Sequence, residues 1–106
     1  TETVRLSENS RKLLVVEDEP HVRELLVMML ETLGYEVASC ESAQEAEART
    51  DLGSFTVLIA DLILPGKGGD ELLRDLTGRQ PELRGILMTG WPAISGELDS
   101  FPVLEK

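Results

Sequence analysis

The sequence predicts an α/β protein built on a parallel sheet. Short apolar runs alternate with segments of helical periodicity, the pattern of strands joined by crossover helices. The runs are nearly free of polar residues, as in strands covered on both faces. Charged or hydroxyl side chains close four of them. Glu17 and Asp18 follow residues 13–16, Asp61 follows 56–60, Thr89 follows 86–88, and Lys106 lies just beyond 103–104. Parallel strands that end together would bring these groups into one crevice, where open α/β sheets bind their ligands.

Each element has its own signal. Residues 1–11 are polar and read as a linker or fraying terminus. Residues 13–16 form the first strand, and Pro20 suits the first turn of the helix that follows. Val22, Leu25, Leu26, Met29, Leu30 and Leu33 recur at helical spacing and predict an inward stripe. Gly34 ends that helix. Residues 35–40 form a second strand. Ser42 and Glu45 make a capping-box pattern ahead of an alanine-rich helix reaching about Thr50. Residues 56–60 are the third strand, and Pro65-Gly66 with Gly68-Gly69 make a turn. A helix over 70–77 turns Leu72, Leu73 and Leu76 inward, and Gly78 and Pro81 punctuate its end. Residues 85–89 and 103–106 supply the last two strands. The stretch between them is broken by Pro92, Gly96 and Pro102 and has room for a turn or two of helix.

Composition narrows the function. A chain of 106 residues holds one domain and a single modest core. The net charge of −10 argues against direct binding to nucleic acid, because phosphate backbones need a basic surface. Cys40 stands alone, so no internal disulfide or cysteine metal cluster is available, and the reducing cytoplasm fits. It ends an apolar run and is expected to be a small buried hydrophobe. No stretch approaches the ~18 apolar residues of a membrane span, so no membrane contact is expected. The first residue is threonine rather than methionine, and the expectation is a piece of a longer protein.

The chemistry centres on the acids. Carboxylates crowded at strand ends repel one another, and a bound cation relieves that repulsion. Magnesium takes oxygen ligands in an octahedron and keeps several waters, so two or three carboxylates and a backbone carbonyl suffice. Glu19 and Asp70 are better read as helix-start acids. Asp18 and Asp61 directly follow buried strands and are better read as site residues. Asp61 is then a candidate nucleophile, since a carboxylate can attack phosphorus. Lys106 and Thr89 have the right chemistry to stabilise charge on the phosphoryl oxygens.

Four segments carry a family resemblance. Leu13-Leu14-Val15-Val16-Glu17-Asp18-Glu19-Pro20, Asp61-Leu62-Ile63-Leu64-Pro65-Gly66, Met88-Thr89-Gly90 and Leu104-Glu105-Lys106 together resemble the receiver domain of two-component response regulators. The resemblance covers about residues 12–106. It implies a flavodoxin-like, doubly wound five-stranded sheet of order 2-1-3-4-5. It implies that a histidine kinase or histidine phosphotransfer domain donates a phosphoryl group to Asp61. By the same resemblance Asp18, Asp61 and the Ile63 carbonyl ligate Mg2+ and Glu17 acts largely through water. Thr89 and Lys106 would then contact the phosphoryl group. The domain would be a phosphoacceptor that assists its own phosphorylation and dephosphorylation, rather than an enzyme turning over an external substrate.

The chain departs from the family pattern in several places. Glu17 stands where aspartate is usual. Val103 stands where an inward-turning aromatic is usual, and Phe101 falls two residues early. The fourth helix looks shortened, and Lys106 precedes the family's fifth helix, so further chain or a second copy in a homodimer is expected to cover that face. The opening acids and the compressed 89–106 segment look like receivers of hybrid histidine kinases. Two rival functions stand beside this one: a pseudo-receiver that only binds partners, for which the reduced signalling face and Glu17 leave room, and a small aspartyl-nucleophile phosphatase, which also puts a nucleophilic aspartate at a strand end. The phosphatase usually needs a second aspartate two residues after the nucleophile, where this chain has Ile63.

The remaining residues divide more simply. His21 is expected to be an exposed first-turn side chain. Val27 and Met28 fall off the inward stripe and are either ordinary surface apolars or a docking patch for the kinase, which the family places on this helix. Lys67 is expected to be a solvated loop charge. Ile63 and Trp91 lie two residues after Asp61 and Thr89, positions that in the family tune how fast water removes the phosphoryl group. Two apolar side chains there should hinder water. The Ile63→Asn, Trp91→Ala double variant is therefore expected to lose its phosphoryl group severalfold faster than the wild type in a decay time course. An equal or slower loss would contradict that reading.

Overall fold

Five parallel strands form one sheet in the order β2-β1-β3-β4-β5, in a computed structural model that describes residues 11–89 and 103–105. The strands are β1 (Lys12–Val16), β2 (Glu36–Cys40), β3 (Val57–Asp61), β4 (Arg84–Thr89) and β5 (Val103–Glu105). The helices are α1 (Pro20–Thr32), α2 (Ala43–Ala48) and α3 (Gly69–Arg79), and a 3-10 turn spans Leu52–Ser54. This is the flavodoxin-like order expected from the sequence. Of the expected linker over 1–11, only Arg11 is among the described residues. The expected shortened fourth helix lies outside them.

The period of two along each strand sorts the core into two faces. Leu14 and Val16 of β1, Leu58 and Ala60 of β3 and Leu87 of β4 face one side. There they pack with Ala43 and Ala46 of α2 and with Leu72, Leu73 and Leu76 of α3. Val15, Ile59 and Met88 face the other side, against Leu26 and Leu30 of α1. Cys40 is buried, as expected, and burial pushes its thiol pKa above the ordinary value despite the nearby Arg49.

The packed stripe of α1 is narrower than its apolar periodicity predicts. Leu26 and Leu30 reach the sheet, whereas Leu25, Met29 and Leu33 are 57%, 54% and 70% exposed. A helix lying on a sheet presents one row of side chains to it. A flanking row needs a neighbouring helix, and none of the described helices stands beside this one. Gly34 ends α1 as expected, with φ at 100°.

Two other boundaries differ from the sequence reading. The second helix stops at Ala48 rather than near Thr50, and Arg49 is extended. There its guanidinium forms a two-bond fork with Asp51, with both distances 2.9 Å, and lies over the Phe55 ring. Gly78 does not stop α3, which runs on to Arg79, and the chain turns extended at Gln80, before Pro81. Thr77 stays in the helix by donating its hydroxyl to the Leu73 carbonyl at 2.7 Å.

Gly69 begins α3 and backs directly onto the end of β3. A Cβ built there would lie 1.9 Å from the Asp61 carbonyl oxygen, a clash that only backbone movement relieves. Gly69→Ala is expected to destabilise the domain by about 2–3 kcal/mol in urea unfolding. A loss under about 0.5 kcal/mol, the range of unconstrained surface changes, would show that the loop can move away.

Candidate functional site

Strand register builds the site. Val16 of β1 pairs with Ala60 of β3, so Glu17 follows at the level of Asp61, which itself pairs with Met88 of β4. Met88 pairs in turn with Leu104 of β5, and Thr89 with Glu105. The four strand ends named in the sequence reading thus share one edge of the sheet. The side chains of Thr89, Trp91, Phe101, Val103 and Lys106 lie outside the described residues.

At this edge Glu17, Asp18 and Asp61 converge. One carboxylate oxygen from each lies within 4.8 Å of the others. Glu17 is fully buried and Asp61 is 5% exposed, while Asp18 is open to solvent. Three carboxylates so close, two of them in the low-dielectric interior, repel strongly unless a positive charge joins them. Hard oxygen donors at such separations suit a divalent cation that retains water in its shell.

Backbone groups aim these acids. The Glu19 N–H donates to Glu17 Oε2 at 3.0 Å, which turns the longer side chain back over its own loop. Glu17 also closes its strand, its N–H donating to the Cys40 carbonyl at 3.1 Å. Glu19 caps α1 by accepting from the His21 N–H at 3.3 Å, and His21 is exposed, as expected of both. On the other loop, the Ile63 N–H donates to Asp61 Oδ1 at 3.2 Å. The Leu62 N–H donates to the Met88 carbonyl at 2.8 Å, which extends the β3–β4 pairing by one step. Asp70 is a first-turn acid of α3, facing Arg74 at 3.7 Å.

Sequence reasoning missed Arg23. Its Nη1 donates to the Glu17 carbonyl at 2.8 Å and ties α1 to the acidic turn. The available signal was a cation in the first turn of a helix that opens beside three acids. Lys67 was misread. It is no free solvated charge, because its ammonium pairs with Glu47 of α2 and Asp75 of α3. These two partners push its pKa above the ordinary lysine value, Asp75 more than Glu47. The pairing could not be read from the sequence because Glu47 lies twenty residues away on a separate helix. Of the pair proposed for docking, Met28 is 62% exposed and Val27 is half-buried. Both line a groove of about 360 Å³ with Arg23, Glu24, Glu31 and Ser39.

This sheet order, with acids gathered at the carboxyl ends of its inner strands, fits a phosphoacceptor signalling domain. The chain belongs to the response regulator receiver domain family, whose model matches residues 13–97. It is 32% identical over 90 residues to the response regulator receiver protein CpdR of Brucella abortus, covering 85% of this chain and 75% of that protein. It is 35% identical over 80 residues to the transcriptional regulatory protein ResD of Bacillus subtilis. That match covers 76% of this chain but 32% of ResD, so the chain spans about a third of that longer regulator. Among solved structures, the response regulator TrrA of Thermotoga maritima in complex with Mg2+-BeF superposes with a TM-score of 0.81. Its sequence is 30% identical, and the match covers 91% of this chain and 86% of TrrA. Receiver domains of this family take phosphoryl groups from histidine kinases or phosphotransfer proteins and bind Mg2+. No helix among the described residues is long and apolar enough to cross a membrane.

The crowding has a measurable consequence. In metal-free buffer, Asp61→Asn is expected to stabilise the domain by on the order of 1 kcal/mol, because it removes one member of a repelling cluster. The amide oxygen can still accept from the Ile63 N–H. Urea unfolding checks this, and a loss of stability would mean that the contacts of Asp61 outweigh the repulsion.

Proposed function

We propose that Asp61 is the phosphoacceptor of this receiver and that Glu17, Asp18 and Asp61, with the Ile63 carbonyl, hold Mg2+. The observation that carries this reading is the convergence of the three carboxylates at the ends of β1 and β3. In the transfer, a carboxylate oxygen of Asp61 bonds to phosphorus as the phosphorus–nitrogen bond to the donor histidine breaks. The electron pair of that bond returns to the imidazole. A metal held by these residues would supply positive charge against the phosphoryl oxygens. The Ile63 N–H orients the Asp61 carboxylate, and the Glu19 N–H does the same for Glu17. Asp18, the exposed member, is reachable from solvent by an incoming cation. Thr89 and Lys106 complete the site in this proposal, as the ends of β4 and β5 lie at the same edge and the family uses these residue types there.

Glu17 occupies the position of the usual aspartate. Its extra methylene is accommodated by folding back onto the Glu19 N–H, which supports a role close to the metal through water rather than a swing into solvent. The domain assists its own phosphorylation and dephosphorylation through these groups. The phosphoryl donor is a histidine kinase or a histidine phosphotransfer domain in the cytoplasm, docking over the Val27–Met28 groove. That groove is lined by the apolar Val27 and Met28 and by the charged Arg23, Glu24 and Glu31, which suits an amphipathic helix with charged flanks.

Beryllofluoride with Mg2+, a mimic of the phosphoryl group, tests the assignment. The wild type is expected to shift its amide NMR spectrum around residues 61–63 and to unfold at higher urea. A ligand present at a hundred times its Kd adds about 2.7 kcal/mol of stability. Asp61→Asn is expected to lose both responses, and no mass corresponding to a phosphoryl group should appear on it with a small-molecule phosphodonor. A wild type that ignores beryllofluoride at millimolar Mg2+, or an Asp61→Asn protein that responds like wild type, would sink the proposal.

A further inference from the structure

We propose that Lys67 is a positioning residue for the phosphoacceptor site, acting as a tether that holds the β3–α3 loop, and with it the orientation of Asp61, onto α2 and α3. This inference rests on the reading of Asp61 given above. The loop over residues 62–68 has no helix or strand of its own, and Leu62 and Leu64 pack it on the core. It holds Pro65, Gly66 in the left-handed region at φ 82°, Lys67 and Gly68, and Gly69 follows at once. Glycines lose the most backbone freedom when fixed, so such a loop needs outside anchors.

Its anchors are few. Leu62 is held by the Met88 carbonyl, and the Gly69 N–H donates to the Leu62 carbonyl at 2.9 Å. The Lys67 N–H donates within the loop, to the Pro65 carbonyl at 3.0 Å. Ile63 is 63% exposed and gives the loop no firm apolar anchor, although its N–H is the group that bonds Asp61 Oδ1. Leu64 is buried and fixes the middle of the loop. Beyond Leu64, the Lys67 ammonium ties the loop to the helices, pairing with Glu47 of α2 and Asp75 of α3. The Lys67 side chain is 26% exposed and that of Glu47 32%, so this pair is less screened than a fully solvated one.

Two roles for Lys67 differ in sign. As a mere charge near an acidic site, it would repel a divalent cation, and its removal would tighten Mg2+ binding. As a tether, its removal loosens the loop whose Ile63 N–H holds the Asp61 carboxylate and which carries the Ile63 carbonyl, and Mg2+ binding weakens. Surface ion pairs contribute little to global stability, so the effect should be local.

The test compares wild type with Lys67→Met, which keeps most of the apolar stem, and with Lys67→Arg, which keeps the charge. In metal-free protein, amide hydrogen exchange at Ile63 and Lys67 is expected to quicken severalfold in Lys67→Met, while the sheet amides of β1 and β3 are unchanged. Calorimetric titration with MgCl2 is expected to show severalfold weaker binding, with Lys67→Arg restoring both. The double variant Glu47→Gln, Asp75→Asn should loosen the same amides. Unchanged loop exchange in Lys67→Met, or tighter Mg2+ binding, would overturn the proposal. If wild type binds no Mg2+, the reading of the acidic site fails instead, and loop exchange in the metal-free variants still decides whether Lys67 is a tether.

Discussion

The mutual repulsion of carboxylates held in a dry place is the constraint around which this domain is organised. Glu17, directly after β1, and Asp61, at the end of the adjacent β3, lie at the same height, and both are withdrawn from water. Neither position can be moved without breaking the parallel ladder, since a shift of one residue would send each side chain to the opposite face. The charge is therefore imposed by the fold, and the surrounding backbone is arranged to make it tolerable. The Glu19 and Ile63 N–H groups donate to it, and Arg23 secures the turn that carries it. Three hard oxygen donors gathered in this way suit a divalent cation.

Both loops at this edge are held from outside as well as by bonds of their own. The β1–α1 turn is tied by a guanidinium from the helix it precedes. The β3–α3 loop is tied by an ammonium reaching to two helices, and Gly69 lets that loop pass within contact of the Asp61 carbonyl. Each loop also supplies a backbone N–H to one of the buried carboxylates.

The two faces of the sheet differ in consequence. The α2–α3 side is closed by leucines with no measurable exposure, and it gives the site a rigid floor. The α1 side is thinner, with Leu26 and Leu30 on the sheet and the Leu25–Met29–Leu33 row turned outward. Periodicity counts apolar positions but does not say how many neighbours a helix has, so the sequence overstated the buried stripe. The two sides meet at the acidic edge, where Glu17, Asp18 and Asp61 converge.

Much of the architecture was legible in the chain because local chemistry determines it. Unbroken apolar runs mark strands buried on two faces, Gly34 and Pro20 bracket a helix, and acids directly after strands mark the ligand edge of a parallel sheet. Those signals identified Glu17, Asp18 and Asp61 and the order of the strands through family resemblance. What only the tertiary structure decided are the relations between distant segments. These are the fold-back of Glu17 onto Glu19, the reach of Arg23 to a strand-end carbonyl, the clash that makes Gly69 a glycine, and the pairing of Lys67 with Glu47 and Asp75. Each depends on where separate helices come to rest against the sheet. A linear pattern carries the period of each element but not the distance between two of them, which is set by packing.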